Sequence, residues 1–223
     1  MIAEEQLNNT LEKFDSSIPL GKTIAAIINS FKITTPYFKT HISQFTQKIL
    51  NEEELTQEFV NLLRRKTTEY PFLIGQEKKD LYYHSKGRSD FYFYWKEETA
   101  NTESFFDVES KILTDRFPKD RKKEYLIGTK NNGGIERYKI EKHGKGLSEC
   151  GMLGFVEKEN FEYWLTLINT WIENLAESDS TWNKDEIVKE EEEVQGEFMY
   201  LKSVAHTAST TDKQLHHFWI KLT

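Results

Sequence analysis

One cysteine, Cys150, among 223 residues leaves no partner for an internal disulfide, so the fold is not a stapled scaffold and suits a reducing cytoplasm. No apolar run approaches the roughly 20 residues that a membrane span needs. The acidic, polar start MIAEEQLNNT is unlike a secretory signal. Internal repeats and low-complexity linkers are lacking too, and the length suits one substantial domain with at most a small appended piece. Aromatics, by contrast, are plentiful: 15 Phe, 10 Tyr and 5 Trp support a real core although 30% of residues are charged.

The net charge of −7 argues at face value against a nucleic-acid binder, but its distribution is uneven. From Lys111 to Lys145 there are eleven Lys/Arg against five acids, a surplus of six that leaves −13 for the rest of the chain. That basic middle holds Arg121-Lys122-Lys123 and Arg137, candidate phosphate contacts of the kind that carry affinity without sequence information.

Residues 1–50 read as helical, through Ile24, Ile27, Ile28 and Phe31 and then Ile42, Phe45 and Ile49, with Thr34-Thr35-Pro36 separating two helices. PLGKT (19–23) has the tail of a phosphate-binding loop, but Ser16 stands where glycine is required and no strand precedes it, so a helix start is expected. Asn51 caps a further helix with Glu52, Glu53 and Glu54 in its first turn and Leu55, Phe59, Leu62 and Leu63 on its apolar face. Strands are expected at PFLIGQE, DFYFYW (90–95), SFFDVESKIL (104–113) and CGMLGFV (150–156), with a flexible NNGG at 131–134. An amphipathic helix follows over 160–177 and then a polar connection whose acidic run reads as solvated surface. FMYLKSVAHT and LHHFWIKLT close the chain as a hairpin. The expected architecture is α/β, a mixed central sheet flanked by helices. A helical N-terminal extension (1–50) precedes the domain proper (51–223), and the C-terminal β-hairpin completes or flanks the sheet.

The chemistry gathers on SFFDVESKIL. Alternation places Phe105, Asp107, Glu109 and Lys111 on one side and Phe106, Val108, Ser110 and Ile112, which read as core, on the other. In a hairpin with the preceding strand, Asp90 approaches Glu109. Two close carboxylates repel unless a cation lies between them, and a hard divalent ion with oxygen ligands fits, Mg²⁺ first and Mn²⁺ as a substitute. Lys111 then stands where it can orient a water and offset charge on a phosphate. His143 reads as a loop histidine, His216 and His217 as residues on opposite strand faces, and Cys150 as core.

GRSDFYFYW followed by FFDVESKIL resembles the PD-(D/E)XK nuclease superfamily over roughly residues 51–156. Asp90 matches its first acid, Glu109 and Lys111 its acid–any–lysine triplet, and Ser89 replaces the signature proline. The family's helical glutamate falls in NEEELTQEFVNLL, with Glu52 favoured over Glu53 and Glu58. The resemblance implies a restriction-endonuclease-like core and an Mg²⁺-dependent endonuclease acting on DNA, in restriction or phage defence. It implies Asp90, Glu109 and the Ser110 carbonyl as metal ligands, with Glu52 and Lys111 completing the catalytic set. It leaves room for a homo-oligomer or partner subunit. The alternatives are a nuclease-like nucleic-acid-binding or protein-interaction module without turnover, and an acidic interaction protein.

Overall fold

A computed structural model describes residues 20–79, 87–96, 102–209 and 211–222. The expected turn at 80–86, the hairpin tip at 97–101 and the first 19 residues lie outside the described residues. Seven strands form: β1 (Phe72–Lys79), β2 (Arg88–Trp95), β3 (Ser104–Leu113), β4 (Glu149–Val156), β5 (Lys189–Val194), β6 (Phe198–Ala205) and β7 (Lys213–Lys221). They lie in one mixed sheet ordered β1-β2-β3-β4-β7-β6-β5. β2 is antiparallel to both β1 and β3, β3, β4 and β7 run parallel, and β6 is antiparallel to both β7 and β5. The class is therefore α/β, and the C-terminal hairpin completes the sheet through β7, which pairs with β4 from Glu149↔Gln214 to Val156↔Lys221.

Helices α1 (Leu20–Ile42) and α2 (Glu52–Lys66) cover one face. There Phe31, Phe38 and Phe59 pack with Phe91, Phe93, Phe106, Phe155 and Phe218, all fully buried. The Phe31 and Phe218 rings stack at 3.9 Å. The short helices α3 (Lys119–Lys122) and α4 (Gly134–Lys139) belong to the β3–β4 crossover, and α5 (Phe161–Ser178) follows β4. On the opposite face Tyr138, Trp164, Ile168 and Ile172 from these connections join Met152 and Trp219. Among the described residues no helix is long and apolar enough to cross a membrane.

Three expectations fail for physical reasons. Thr34-Thr35-Pro36 does not divide α1, which runs unbroken through Pro36. Thr34 and Thr35 return their hydroxyls to the carbonyls of Ser30 and Phe31 at 2.7 and 2.9 Å. The helix also buries Phe31 and Phe38 completely, one on each side of the proline. Two buried phenylalanines contribute about 2–3 kcal/mol each, which offsets the ~3 kcal/mol a mid-helix proline costs. The second half of the expected repeat is not helical: Phe45 and Ile49 follow α1 in turns and are exposed. The acidic run is not loop or helix surface but β5, an edge strand paired with β6 and solvated at Glu190 to Glu193. Charge on an exposed edge discourages further strand pairing.

Candidate active site

β2 and β3 pair from Tyr94↔Ser104 to Phe91↔Val108 and then part, while β3 continues beside β4 as far as Leu113. The departure of β2 strips β3 of a partner along the edge of Ser110 and Ile112, and unpaired main-chain amides there need acceptors. Two carboxylates fill the vacancy. Asp90 Oδ2, at the start of β2, accepts the Ser110 amide at 2.6 Å. Glu52 Oε2 accepts the Ile112 amide at 3.0 Å. Glu52 is presented by the first turn of α2, where Asn51 and Glu54 form a reciprocal capping box (2.9 and 3.0 Å). That cap fixes where the helix begins, and therefore where Glu52 points.

Glu109 and Lys111 follow on the other side of β3, and this side is buried as well: Glu109 is 0% exposed and Lys111 7%. The Lys111 ammonium donates to Glu109 Oε1 at 2.8 Å, Glu52 Oε1 at 3.0 Å and the Ser110 carbonyl at 2.8 Å. Burial alone would lower its pKa, but Glu109, Glu52 and Asp90 outweigh that and hold it above the ordinary lysine range. Lys111 is thus a cation and a proton donor.

Burial likewise works against the Glu109 carboxylate, yet Lys111, His143 and Arg137 together bring its pKa down to about 2. Asp90, which lines the cleft beside α2, goes the other way: burial first and the Glu109 charge second push it up to about 7. Adjacent carboxyls whose affinities for protons part in this way share too little positive charge.

Arg137 and His143 are the residues that sequence reasoning misjudged. The expected phosphate contact Arg137 turns inward, and its Nη1 donates to Glu109 Oε1. The expected loop residue His143 is buried, with Nδ1 3.0 Å from Glu109 Oε2. The intervening chain brings both to β3. NNGG, expected to be flexible, is pinned: the Gly128 and Gly133 amides both donate to Glu136 Oε2, at 3.1 and 3.2 Å. Gly133 crosses the Ile127 backbone so closely that a Cβ would stand 2.3 Å from its Cα. Gly133→Ala should therefore cost about 2–3 kcal/mol in urea unfolding by displacing α4, the carrier of Arg137. Arg137→Ala should cost about 2 kcal/mol in the same measurement, because it leaves a buried carboxylate short of a cation, and Arg137→Lys should recover part of it.

Other expected site residues divide. Arg121 is exposed at the cleft that Glu52 and Glu53 also line. Lys122 is drawn away to Asp115 and to the Tyr163 hydroxyl (2.9 Å), and Lys123 lies over the Trp171 ring. Glu58 pairs with His41 at 2.7 Å rather than joining the site. Asp107 accepts from Ser89 Oγ at 2.9 Å, which ties the start of β2 to β3. His216 meets Glu149 and Tyr200, and His217 meets Tyr125 and Ser203, so each has its own partners on its own face.

Among the described residues no three acidic, histidine or cysteine side chains are grouped as a metal site. Asp90, Glu109 and the Ser110 carbonyl make a smaller, all-oxygen set of the kind that suits a hard divalent cation. Glu109 Oε2 is buried with only the His143 Nδ1 contact, which falls outside hydrogen-bond geometry, Asp90 is short of positive charge, and three of the local oxygens already enclose an ammonium. The residues fit such an ion.

No protein-family model, curated protein or solved structure matches this chain.

Proposed function

We propose that the chain is a divalent-metal-dependent nuclease, built on a restriction-endonuclease-like core, that hydrolyses phosphodiester bonds in DNA. The observation that carries this reading is the meeting of Glu52, Asp90, Glu109 and Lys111 at one end of β3. Glu52 and Lys111 are 59 positions apart in the chain, yet their side chains bond directly. The order helix, three antiparallel strands, crossover and parallel strand around this set also supports it.

Asp90, Glu109 and the Ser110 carbonyl would hold the Mg²⁺ ion. The bound ion would supply Lewis acidity toward a phosphoryl oxygen and a lowered pKa for water. Lys111 donates from Nζ, so it orients the attacking water by its lone pair and offsets charge gathering on the phosphate. Glu52, which is part-exposed and bonded to Lys111, is placed to take the proton that the water sheds. Arg137 and His143 hold Glu109 ionised and in place.

The test is incubation of plasmid and single-stranded DNA with Mg²⁺ or Mn²⁺ against EDTA, with Lys111→Ala in parallel. Metal-dependent cutting by wild type and its loss in the variant are expected. Equal results for both proteins in every condition would overturn the enzyme reading in favour of a module without turnover.

A further inference from the structure

Glu52 stands on a wall between two clefts of different chemistry. The first, ≈ 660 Å³, is lined by Gln57, Asn61, Gln76, Arg88, Ser89 and Asp90, with Glu52, Glu53, Thr56 and Glu77. It holds amides, one guanidinium and four carboxylates, whose charge a bound cation would have to offset before a sugar–phosphate chain could enter. The second, ≈ 580 Å³, lies on the far side of Glu52 and joins the apolar Ile49, Leu50, Ile112 and Phe117 to two arginines, with Asn51 and Glu53 beside Glu52. A duplex presents phosphates at its surface and has no use for such a lining. A nucleobase freed from its partner is flat and apolar on both faces, and does.

We propose that this second cleft receives an unpaired nucleobase beside the cut, so that the substrate is DNA that is single-stranded at the scissile position. Phe117 is part-exposed, and the Arg121 guanidinium covers its ring at 4.3 Å from the centroid. An aromatic ring layered with a guanidinium is the surface on which bases stack, because every base has a π-face. Ile49 adds apolar contact from the opposite rim and is 71% exposed, more than any other large hydrophobic residue described. The two arginines are not equivalent. Arg116 is bound to Glu157 through Nε at 2.6 Å and Nη2 at 2.5 Å, so its charge is spent. Among the described residues Arg121 has Glu124 as its one ion-pair partner, at 3.6 Å, and its side chain is 58% exposed, so from its place over Phe117 the guanidinium can meet the phosphate that accompanies the base. Glu52 closes the cleft toward Lys111, so a base held there sets its own phosphodiester next to the carboxylates.

The inference rests on the nuclease reading for the cutting but not for the binding, and the two are tested apart. Fluorescence anisotropy in EDTA and low salt would compare three labelled DNAs of one sequence: single strand, blunt duplex, and duplex with a single-stranded overhang. The single strand and overhang should bind more tightly than the blunt duplex. Phe117→Ala should weaken the first two by roughly tenfold or more and leave the blunt duplex near its wild-type affinity, and Phe117→Trp should restore them. Phe117 is part-exposed, and coincident urea unfolding of wild type and variant would establish that the fold persists. Equal affinity for all three DNAs, an equal loss for all three in Phe117→Ala, or no binding to any would overturn the cleft assignment. Tight, Phe117-dependent binding with no cleavage in Mg²⁺ or Mn²⁺ would uphold the cleft and sink the nuclease. Duplex cutting indifferent to Phe117 would do the reverse.

Discussion

Lys111→Met should lower metal-dependent DNA cleavage by roughly 10²–10⁴-fold while the protein stays folded. Methionine keeps most of the apolar stem and removes the ammonium. Three acceptors lose their donor at once: Glu109 Oε1, Glu52 Oε1 and the Ser110 carbonyl. Arg137 still reaches Glu109, so the carboxylate is not left alone in the interior. Single-turnover cleavage under saturating Mg²⁺ checks the rate, and urea unfolding checks the fold. Loss of rate with native stability isolates chemistry. Parallel loss of both would mean that Lys111 is chiefly a structural ion-pair partner, and a fully active variant would remove it from the reaction.

Asp90→Asn should abolish cleavage and yet stabilise the metal-free protein at pH 8. The Asp90 carboxyl is raised from an ordinary 3.8 to about 7, first by burial and then by Glu109. It holds its proton more tightly folded than unfolded, so its favourable contribution is full below about pH 4 and is lost as pH climbs to about 7. In EDTA the wild type should therefore lose stability between pH 5 and 7, by up to a few kcal/mol at ~1.4 kcal/mol per pKa unit. Glu109, lowered to about 2, acts in the opposite sense and in a lower window: its contribution is lost as pH falls from 4.5 toward 2. The two are therefore separable. Asparagine can still accept the Ser110 amide and carries no charge, so the variant should flatten the pH 5–7 slope. Millimolar Mg²⁺ should restore the wild type at pH 8 and do nothing for the variant. Thermal melts across pH, with and without Mg²⁺, decide it; a wild-type melt flat from pH 5 to 7 would refute the raised Asp90.

How much of this was legible in the chain depends on the range of the force involved. β2 could be read because burial alternates along it, β3 because its apolar run marks a strand although both of its faces are buried, and the Asn51 cap because its partners lie three residues away. α1 was misread as two helices because a local rule about proline competes with burial of Phe31 and Phe38 that only the tertiary core reveals. β5 escaped notice since four glutamates carry no strand signal; pairing with β6 imposes the strand. In the site, strand alternation brought out Asp90, Glu109 and Lys111, and the family resemblance pointed to Glu52. The clamp by Arg137 and His143 left no such trace, because a basic run looks the same whether it faces phosphate or a buried carboxylate. A glycine at 133 was its only herald, and its meaning lies in a crossing with Ile127.

The edge that β3 exposes where β2 leaves it has one more consequence. Its two free amides are claimed by acids from separate elements, one made before β3 in the helix and one in the strand beside it, while the counterweights to Glu109 arrive later, at Arg137 and His143. Any fragment that holds all the parts must run at least from Glu52 to His143. A chain emerging during synthesis carries Glu52, Asp90 and Lys111 well before the clamp exists, and a buried Glu109 without it is too costly to keep. On the nuclease reading, cutting power should therefore appear all at once, when the crossover closes, and vanish all at once on unfolding.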